Sequence, residues 1–234
     1  MMDRRRFLAL GGLSAAGLLA AACDSPGPKS ARKVLHWAER RNESVERFLF
    51  RHTAMDHGGG KLVGGRMPSY FISPKPPVWD DALRGMWALE VSGAVKTPLR
   101  LTLNDLAKLP RVTQRIEHFC VEGWTATTEF GGVRVSTLAR LAGAHPDAGY
   151  VDFQSFDGGY HESWDLESAT HPQTLVAFLR EGRPLTHWYG APARVHSPVK
   201  LGYKNTKYLT RVVFMPQRNG GYWSDKGYEW YGGT

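Results

Sequence analysis

Cysteine is nearly absent from this sequence of 234 residues, which contains only Cys23 and Cys120. Two cysteines exclude a multi-disulfide scaffold and any zinc site built on paired C-x-x-C motifs. Cys23 lies at the edge of a segment that we predict to be an export signal, so Cys120 has no disulfide partner beyond a lipidated or removed Cys23. A buried, inert thiol and a metal-bound thiolate both remain open for Cys120.

A long apolar run is also lacking, because the stretch 9–22 is too short and too rich in Gly and Ala to span a bilayer comfortably. It follows a twin-arginine pattern, DRRRFL at 3–8, and we predict that 1–22 form a signal for export in the folded state. The segment LLAAAC at 18–23 is similar to a bacterial lipoprotein box, with Ala20 where Leu is usual. We therefore predict lipidation of Cys23, a tether over 23–32, and a periplasmic or membrane-surface location.

A run of Lys and Arg interleaved with aromatic residues is missing as well, although the net charge is +8. The absence of such a run argues against nucleic-acid binding. The excess of positive charge is accounted for equally by an anionic cofactor or by an anionic membrane surface.

The order of periodic segments predicts an α+β protein with many short strands and short helices. Residues 33–66 are predicted to form an N-terminal helix, from Lys33 to about Met55, and a Gly-rich loop without a phosphate-binding motif. Residues 67–234 are predicted to form one domain. Its predicted strands are 70–73, 87–93, 113–119, 150–156 and 207–215, and its predicted helices include a short one before Pro110, 135–142 and 174–180.

Cys120 leaves a predicted strand in a polar stretch, 115–124, where Arg115 and His118 would lower the pKa of its thiol. Three chemistries compete for such a cysteine. A protease-like nucleophile would need a base and an oxyanion hole, and the local sequence has no such pattern. A zinc site could use one Cys and three of the nine His, but the sequence has no paired ligand spacing such as C-x-x-C or H-E-x-x-H. A metal bound by one thiolate and a sulfur-bearing organic cofactor needs only Cys120.

Three further stretches place polar residues among Gly, Pro and aromatic residues. The stretch 152–160 puts Ser155 at a strand end beside a Gly pair. The stretches 185–194 and 198–207 together supply Arg194 and three lysines within a short length of loop. A rigid guanidinium with lysine charges and backbone N–H groups is suited to bind phosphate.

Four motifs in order, FCVEGW at 119–124, YVDFQS at 150–155, YGAPAR at 189–194 and GYKNTK at 202–207, resemble the molybdopterin-binding domain of the sulfite oxidase superfamily. The resemblance spans roughly 70–215 and is strongest to the branch of periplasmic methionine sulfoxide reductase catalytic subunits. It implies a sulfite oxidase-like fold and a molybdenum–molybdopterin cofactor.

The resemblance also implies roles for individual residues. Cys120 would be the thiolate ligand of molybdenum, and Glu122 would pass protons near the metal, with His118 and His161 as weaker candidates for that role. The cofactor contacts implied by position are Tyr70, Phe71, Ser155, Tyr189, Arg194, Asn205, Thr206 and Lys207. The chain departs from the family in places: Ser155 stands where Thr is usual, and Tyr189 stands where Asn is frequent. Near the N-terminus the family brings Asn, Tyr and an acidic residue to the pterin, whereas this chain offers Ser69, Tyr70, Phe71 and Ile72.

The expected activity is two-electron oxygen-atom transfer, with reduction of a sulfoxide or a similar S- or N-oxide as the main prediction. The substrate would be a small molecule or a methionine sulfoxide, and a membrane haem protein would supply electrons. Oxidation of sulfite is the alternative within enzymes. A non-catalytic lipoprotein that binds an anion in the 194–207 loop is the alternative of another class.

Overall fold

The computed structural model describes residues 31–50, 54–59 and 67–234. The described residues divide at Phe48 into two compact units, one holding most of the first helix and the other the remainder of the chain. The predicted signal, Cys23 and most of the predicted tether lie outside the described residues. Within the described ranges, every helix is too short or too polar to cross a membrane.

The first helix, α1 (Ala31–Leu49), begins close to the predicted start and ends before the predicted end near Met55. An ion pair one turn apart, from Arg47 Nη2 to Glu43 Oε1 at 2.9 Å, supports its C-terminal half.

The described residues of the second unit form ten strands and four short α-helices. The strands are β1 (Leu89–Gly93), β2 (Leu99–Leu101), β3 (Arg111–Phe119), β4 (Thr125–Arg134), β5 (Tyr150–Ser155), β6 (His161–Asp165), β7 (Leu175–Arg180), β8 (Arg183–Pro184), β9 (Arg194–His196) and β10 (Leu209–Met215). The helices are α2 (Asp81–Arg84), α3 (Leu103–Lys108), α4 (Val135–Ala142) and α5 (Leu166–Ala169). Short strands with short helices are the α+β organisation that the sequence predicts.

One sheet has the strand order β2-β1-β10-β5-β6, in which β1 and β10 are parallel and the other pairs are antiparallel. The second sheet has the order β3-β4-β7-β8, and β9 pairs with the free part of β7. Gly132 in β4 is required by this pairing, because a Cβ there would lie 2.1 Å from the carbonyl oxygen of Val176 in β7. The core between these elements is apolar and includes Leu89, Val91, Val151, Phe153, Trp164, Val195, Val212 and Phe214.

Two predictions of local structure are wrong. The predicted helix 174–180 is instead the strand β7 (Leu175–Arg180), because a short apolar run buried on both faces lacks the alternation that distinguishes strand from helix. Residues 70–73 form no strand. Their backbone is tied to a loop instead, through a hydrogen bond from Ile72 N to Asp157 Oδ2 at 3.1 Å.

Candidate active site

Cys120 is the first residue of the turn that joins β3 to β4. Its N–H donates to the carbonyl of Trp124 at 2.9 Å, and its carbonyl accepts from Gly123 N at 3.0 Å. Gly123 has a φ of +86°, a conformation in which glycine is unstrained. The hairpin therefore holds the Cys120 thiol at a fixed point on the rim of the second sheet.

The thiol of Cys120 has a higher pKa than a free cysteine, because partial burial raises it and the nearby Glu122 carboxylate adds to that effect. Hydrogen bonds from backbone N–H groups and the charge of Lys207 oppose the shift without cancelling it. The expectation that Arg115 and His118 lower the pKa is wrong. The side-chain charges that act on the thiol are those of Glu122 and Lys207, and the His118 imidazole is uncharged because burial lowers its pKa to about 3.

A cavity of about 270 Å³ opens beside Cys120. Eight of the residues predicted from the sequence to form the site line it: Tyr70, Phe71, Cys120, Glu122, Ser155, Arg194, Asn205 and Lys207. They come from both sheets, since Ser155 ends β5, Arg194 begins β9, and Asn205 and Lys207 precede β10. The fold thus brings together segments far apart in sequence.

Tyr189 and Thr206, also predicted to bind the cofactor, do not line this cavity. The ring of Tyr189 lies 4.2 Å from the guanidinium carbon of Arg180, and its carbonyl accepts a hydrogen bond from Arg194 Nη1 at 3.3 Å. Thr206 is fully buried, and its hydroxyl has no hydrogen-bond partner among the residues described.

Arg194 is buried at the cavity with only 1% of its surface exposed. Its guanidinium donates to three backbone carbonyls, those of Val195, Tyr189 and Asn205, at 3.2–3.4 Å. Among the described residues no carboxylate lies within ion-pair distance of it. Burial lowers the pKa of Arg194 to about 10, so it still carries its positive charge at neutral pH.

Lys207 supplies the second positive charge at the cavity. Its Nζ donates to Ser69 Oγ at 2.8 Å and to the carbonyl of Tyr70. Burial, with repulsion from Arg194, lowers the pKa of Lys207 to about 7. An anion bound in the cavity would raise the pKa of Lys207 again, because opposite charge favours the protonated form.

His118 and His196 form a buried pair beside the cavity, with His118 Nδ1 3.3 Å from His196 Nε2. Burial and the charges of Arg194 and Lys207 lower the pKa of His118 to about 3, and the pKa of His196 also lies well below its usual value. Both rings are therefore neutral at pH 7. Gly202 allows this packing, since a Cβ there would lie 2.8 Å from His118 Nε2.

The proton-transfer candidates differ in position. Glu122 is exposed at the cavity and accepts a hydrogen bond from Trp124 Nε1 at 3.2 Å. A hydrogen bond with Glu122 raises the pKa of Tyr70, which lines the same cavity. His161 does not line the cavity; its Nδ1 lies 3.0 Å from Asp152 Oδ1 on the neighbouring strand.

The segment that contains Ser155 is held by its own hydrogen bonds. Ser155 Oγ accepts from Asp157 N at 2.9 Å, and Asp157 also accepts from Ser73 Oγ. The hydroxyl of Tyr160 donates to the carbonyl of Tyr203. These contacts tie the turn after β5 to the 70–73 segment and to the loop before β10, which fixes three walls of the cavity.

Aromatic residues near the C-terminal end also line the cavity, although no motif in the sequence marks them as site residues. They are Trp223 and Tyr228, whose ring centroids lie 5.0 Å apart, and Tyr203 next to them. The buried carboxylate of Glu162 accepts hydrogen bonds from Trp223 N at 3.0 Å and Lys204 Nζ at 2.6 Å. The sequence shows that 222–231 is rich in aromatic residues. Because this segment is separated in sequence from the motifs of the site, its position at the cavity was not predicted.

The donor set fits an anionic organic cofactor better than a metal ion alone. In the described ranges no group of three His, Cys, Asp or Glu side chains could hold a metal ion, so the zinc site left open by the sequence finds no support there. A half-buried thiol, a buried arginine without a carboxylate and a partly buried lysine instead surround one cavity. In such a set the thiolate can bind a metal, and the arginine and lysine cations can bind a phosphate.

The family model of the oxidoreductase molybdopterin binding domain matches residues 75–223 of the chain. A protein of Azospira oryzae named "Putative protein-methionine-sulfoxide reductase subunit YedZ1" is 37% identical, covering 98% of this chain and 86% of that protein. The uncharacterized oxidoreductase YuiH of Bacillus subtilis is 30% identical over 67% of this chain and 78% of its own length.

Two further relatives match a smaller part. The protein-methionine-sulfoxide reductase catalytic subunit MsrP of Ralstonia nicotianae is 31% identical over 56% of this chain, and the match spans 44% of that protein. The structure of the sulfane dehydrogenase SoxCD from Paracoccus pantotrophus superposes with a TM-score of 0.53 and 24% identity, over 56% of this chain and 38% of that one. That likeness concerns the fold. The family model covers more than half of the chain, and the Azospira relative aligns along nearly all of it, so this chain belongs to the oxidoreductases with a molybdopterin-binding domain of the sulfite oxidase type.

Proposed function

We propose that Cys120 is the protein ligand of molybdenum in a molybdopterin cofactor and that the enzyme reduces a sulfoxide or a similar S- or N-oxide. The observation that carries this proposal is the cavity in which the Cys120 thiol faces the same space as Arg194 and Lys207. When bound, the cofactor supplies two-electron redox chemistry at the metal. The raised pKa keeps the metal-free thiol protonated at neutral pH, so binding of the metal would have to displace this proton.

Arg194 is the residue proposed to grip the cofactor phosphate. Its guanidinium is already fixed by three backbone carbonyls and is already out of water. Because the guanidinium is already desolvated and oriented in the folded protein, a phosphate can bind to it without reorganisation of the site. Lys207 and the side chain of Asn205 would complete the contacts, with Ser155 and the Phe71 ring on other walls.

Thr206 and Tyr189 are proposed to act from behind the cavity wall. The Thr206 carbonyl accepts from Val195 N at 2.8 Å, which joins the 202–207 loop to β9 next to Arg194. Tyr189 supports Arg194 through its carbonyl. Both would therefore position cofactor-binding groups.

Proton delivery is proposed to run through Glu122. Its carboxylate is exposed at the mouth of the cavity, and the Tyr70 hydroxyl is close enough to hydrogen-bond with it. A carboxylate between solvent and the reacting oxygen can take a proton from water and release it inside the cavity.

The direction of turnover is proposed from the relatives. The Azospira and Ralstonia proteins carry names of methionine sulfoxide reductase subunits. The thioether product is apolar, and its sulfur packs favourably against aromatic rings such as those of Trp223 and Tyr228 at the cavity. We further propose electron supply by a membrane haem partner, export by the twin-arginine route and lipidation of Cys23.

Substitution of Cys120 tests this proposal most simply. Cys120→Ser should abolish reduction of methionine sulfoxide by the loaded enzyme with a reduced viologen dye as donor, because the metal loses its thiolate. Cys23→Ser makes the same chemical change at the other cysteine of the chain and should leave turnover unchanged. Full turnover in Cys120→Ser would refute the assignment, and sulfite oxidation without sulfoxide reduction in the unchanged enzyme would reverse the proposed direction.

A further inference from the structure

Helix α1 has one continuous apolar face. At about 100° per residue, Val34, Leu35, Trp37, Ala38, Val45, Phe48 and Leu49 fall within an arc of about 160°. An arc of this width is typical of a helix that buries one side, because a solvated helix gains nothing from segregating its apolar residues.

This apolar face is exposed. Phe48 has 84% of its surface exposed, and Val34 and Leu49 have 64% each. Six of the sixteen exposed large hydrophobic residues in the described ranges belong to this single helix. Contiguous exposed apolar surface of this kind marks a contact with a protein or a membrane.

The charges of α1 favour a membrane as the occupant. The helix carries five Lys or Arg and three Glu residues, and Lys33, Arg40 and Arg47 follow one flank of the apolar arc. Arg41 lies within the arc, with its guanidinium carbon 5.7 Å from the ring centroid of Trp37. A long cationic side chain beside a Trp ring can extend along the apolar face and reach a phosphate headgroup.

Two other placements of α1 are that it crosses the bilayer or forms part of the molybdopterin-binding domain, and its polarity and its position in the chain argue against them. The helix is too polar to cross a bilayer, and it precedes the part of the chain that matches the molybdopterin-binding domain, residues 75–223. Its basic flank and the +8 net charge of the chain suit an anionic surface. An amphipathic helix with Trp, Phe and Leu on one face and basic residues beside it lies in the plane of the membrane interface.

We propose that α1 binds the surface of an anionic bilayer, with the apolar arc in the headgroup region and the molybdopterin-binding domain held beside the membrane. This contact is separate from any lipid on Cys23. It also does not depend on the proposed substrate or on the role of Cys120.

Vesicle flotation tests the proposal. The protein is the cofactor-loaded chain that begins at residue 23 and carries Cys23→Ser, so that no lipid can attach. It should float with vesicles of equal parts phosphatidylcholine and phosphatidylglycerol, and less with phosphatidylcholine alone. The double variant Trp37→Glu with Phe48→Glu should weaken binding at least about tenfold, because both charges enter the apolar arc.

A matched control separates the apolar face from net charge. Leu83→Glu with Met86→Glu adds the same two charges at residues that are 83% and 70% exposed on the other unit, and binding should stay within about twofold of the parent. Sulfoxide reduction with a viologen donor should be unchanged in both variants, which keeps this test apart from the proposed function.

Two kinds of result, from flotation and from light scattering, would overturn the proposal. One is that the parent fails to float, or that the control variant loses binding as much as the α1 variant. The other is a parent that light scattering finds to be a dimer, which the α1 variant dissociates without any vesicle binding; the face would then be covered by a second copy of the chain.

Discussion

Arg194 illustrates how a single residue can define the site. Its side chain is fully buried, yet its hydrogen bonds go to neutral carbonyls rather than to a carboxylate. A buried charge without a charged partner is costly, and proteins retain such a group where a ligand compensates it. The order GAPAR at 190–194 predicted this residue because rigid Gly and Pro positions are unnecessary for a solvated surface charge.

Arg194→Met should lower the molybdenum and pterin content of the purified protein about 10- to 100-fold, because the cofactor loses its phosphate partner. Metal analysis together with pterin fluorescence measures both components. Arg211→Met is the matched control, since Arg211 forms a surface ion pair with Glu90 at 2.8 Å and should leave loading unchanged. Full loading of Arg194→Met would exclude its proposed role.

The pair of His161 and Asp152 should make stability depend on pH. The hydrogen bond to Asp152 raises the pKa of His161 above its usual 6.5. Burial raises the pKa of Asp152, but hydrogen bonds from His161, Gln154 and Asn219 outweigh it and leave the pKa below 3.8. The His161 contribution is complete below pH 6.5 and is lost as pH rises through its raised pKa. The Asp152 contribution is present above pH 3.8 and is lost as pH falls through its lowered pKa.

His161→Gln should therefore reduce the free energy of unfolding most between about pH 4 and about pH 6.5, and progressively less above that range. Urea unfolding at several pH values measures the difference from the parent protein. His145→Gln, at the surface, controls for loss of an imidazole. A difference that stays constant from pH 5 to pH 9 would contradict the assigned pair.

At the scale of elements, the C-terminal segment depends on a buried ion pair. Glu162 on β6 and Lys204 in the loop before β10 are both fully buried, and their charged atoms are 2.6 Å apart. Glu162 also accepts from Trp223 N and Ser224 Oγ. One carboxylate thus joins the first sheet, the 202–207 loop and the aromatic wall of the cavity.

Glu162→Ala should destabilise the protein by about 3–5 kcal/mol, because Lys204 would remain buried without its partner. Urea unfolding checks this value. Glu90→Ala removes a carboxylate from the exposed pair with Arg211 and should cost no more than about 1 kcal/mol. Equal effects of the two variants would show that the buried pair does not anchor this segment.

The sequence predicts individual elements where the local signal is complete. Helix α4 has both the apolar period and a terminal glycine, and Gly143 ends it with a left-handed φ of +65°. Strand β7 was misassigned because its burial on both faces is a property of the sheet, which the local sequence does not contain. Trp223 and Tyr228 were not predicted as cavity residues for a similar reason. Their position depends on a hydrogen bond from Trp223 N to Glu162, which is 61 residues away in sequence.

At the scale of the molecule, the fold class was predicted correctly, whereas the strand pairing that brings the site together was not predicted. The resemblance to a known domain implied the roles of the ten residues predicted to form the site, and eight of these ten line one cavity. Long-range strand pairing within the two sheets brings these residues together, and the parallel contact of β1 with β10 is one example. No local pattern encodes that contact.

The central claim is that Cys120 ligates molybdenum. X-ray absorption at the molybdenum edge, on the loaded protein and on Cys120→Ser, measures the sulfur atoms bound to the metal. We predict that the variant loses one sulfur ligand while the sulfur atoms of the pterin remain. An identical number of sulfur ligands in the two proteins, at equal molybdenum content, would contradict the account.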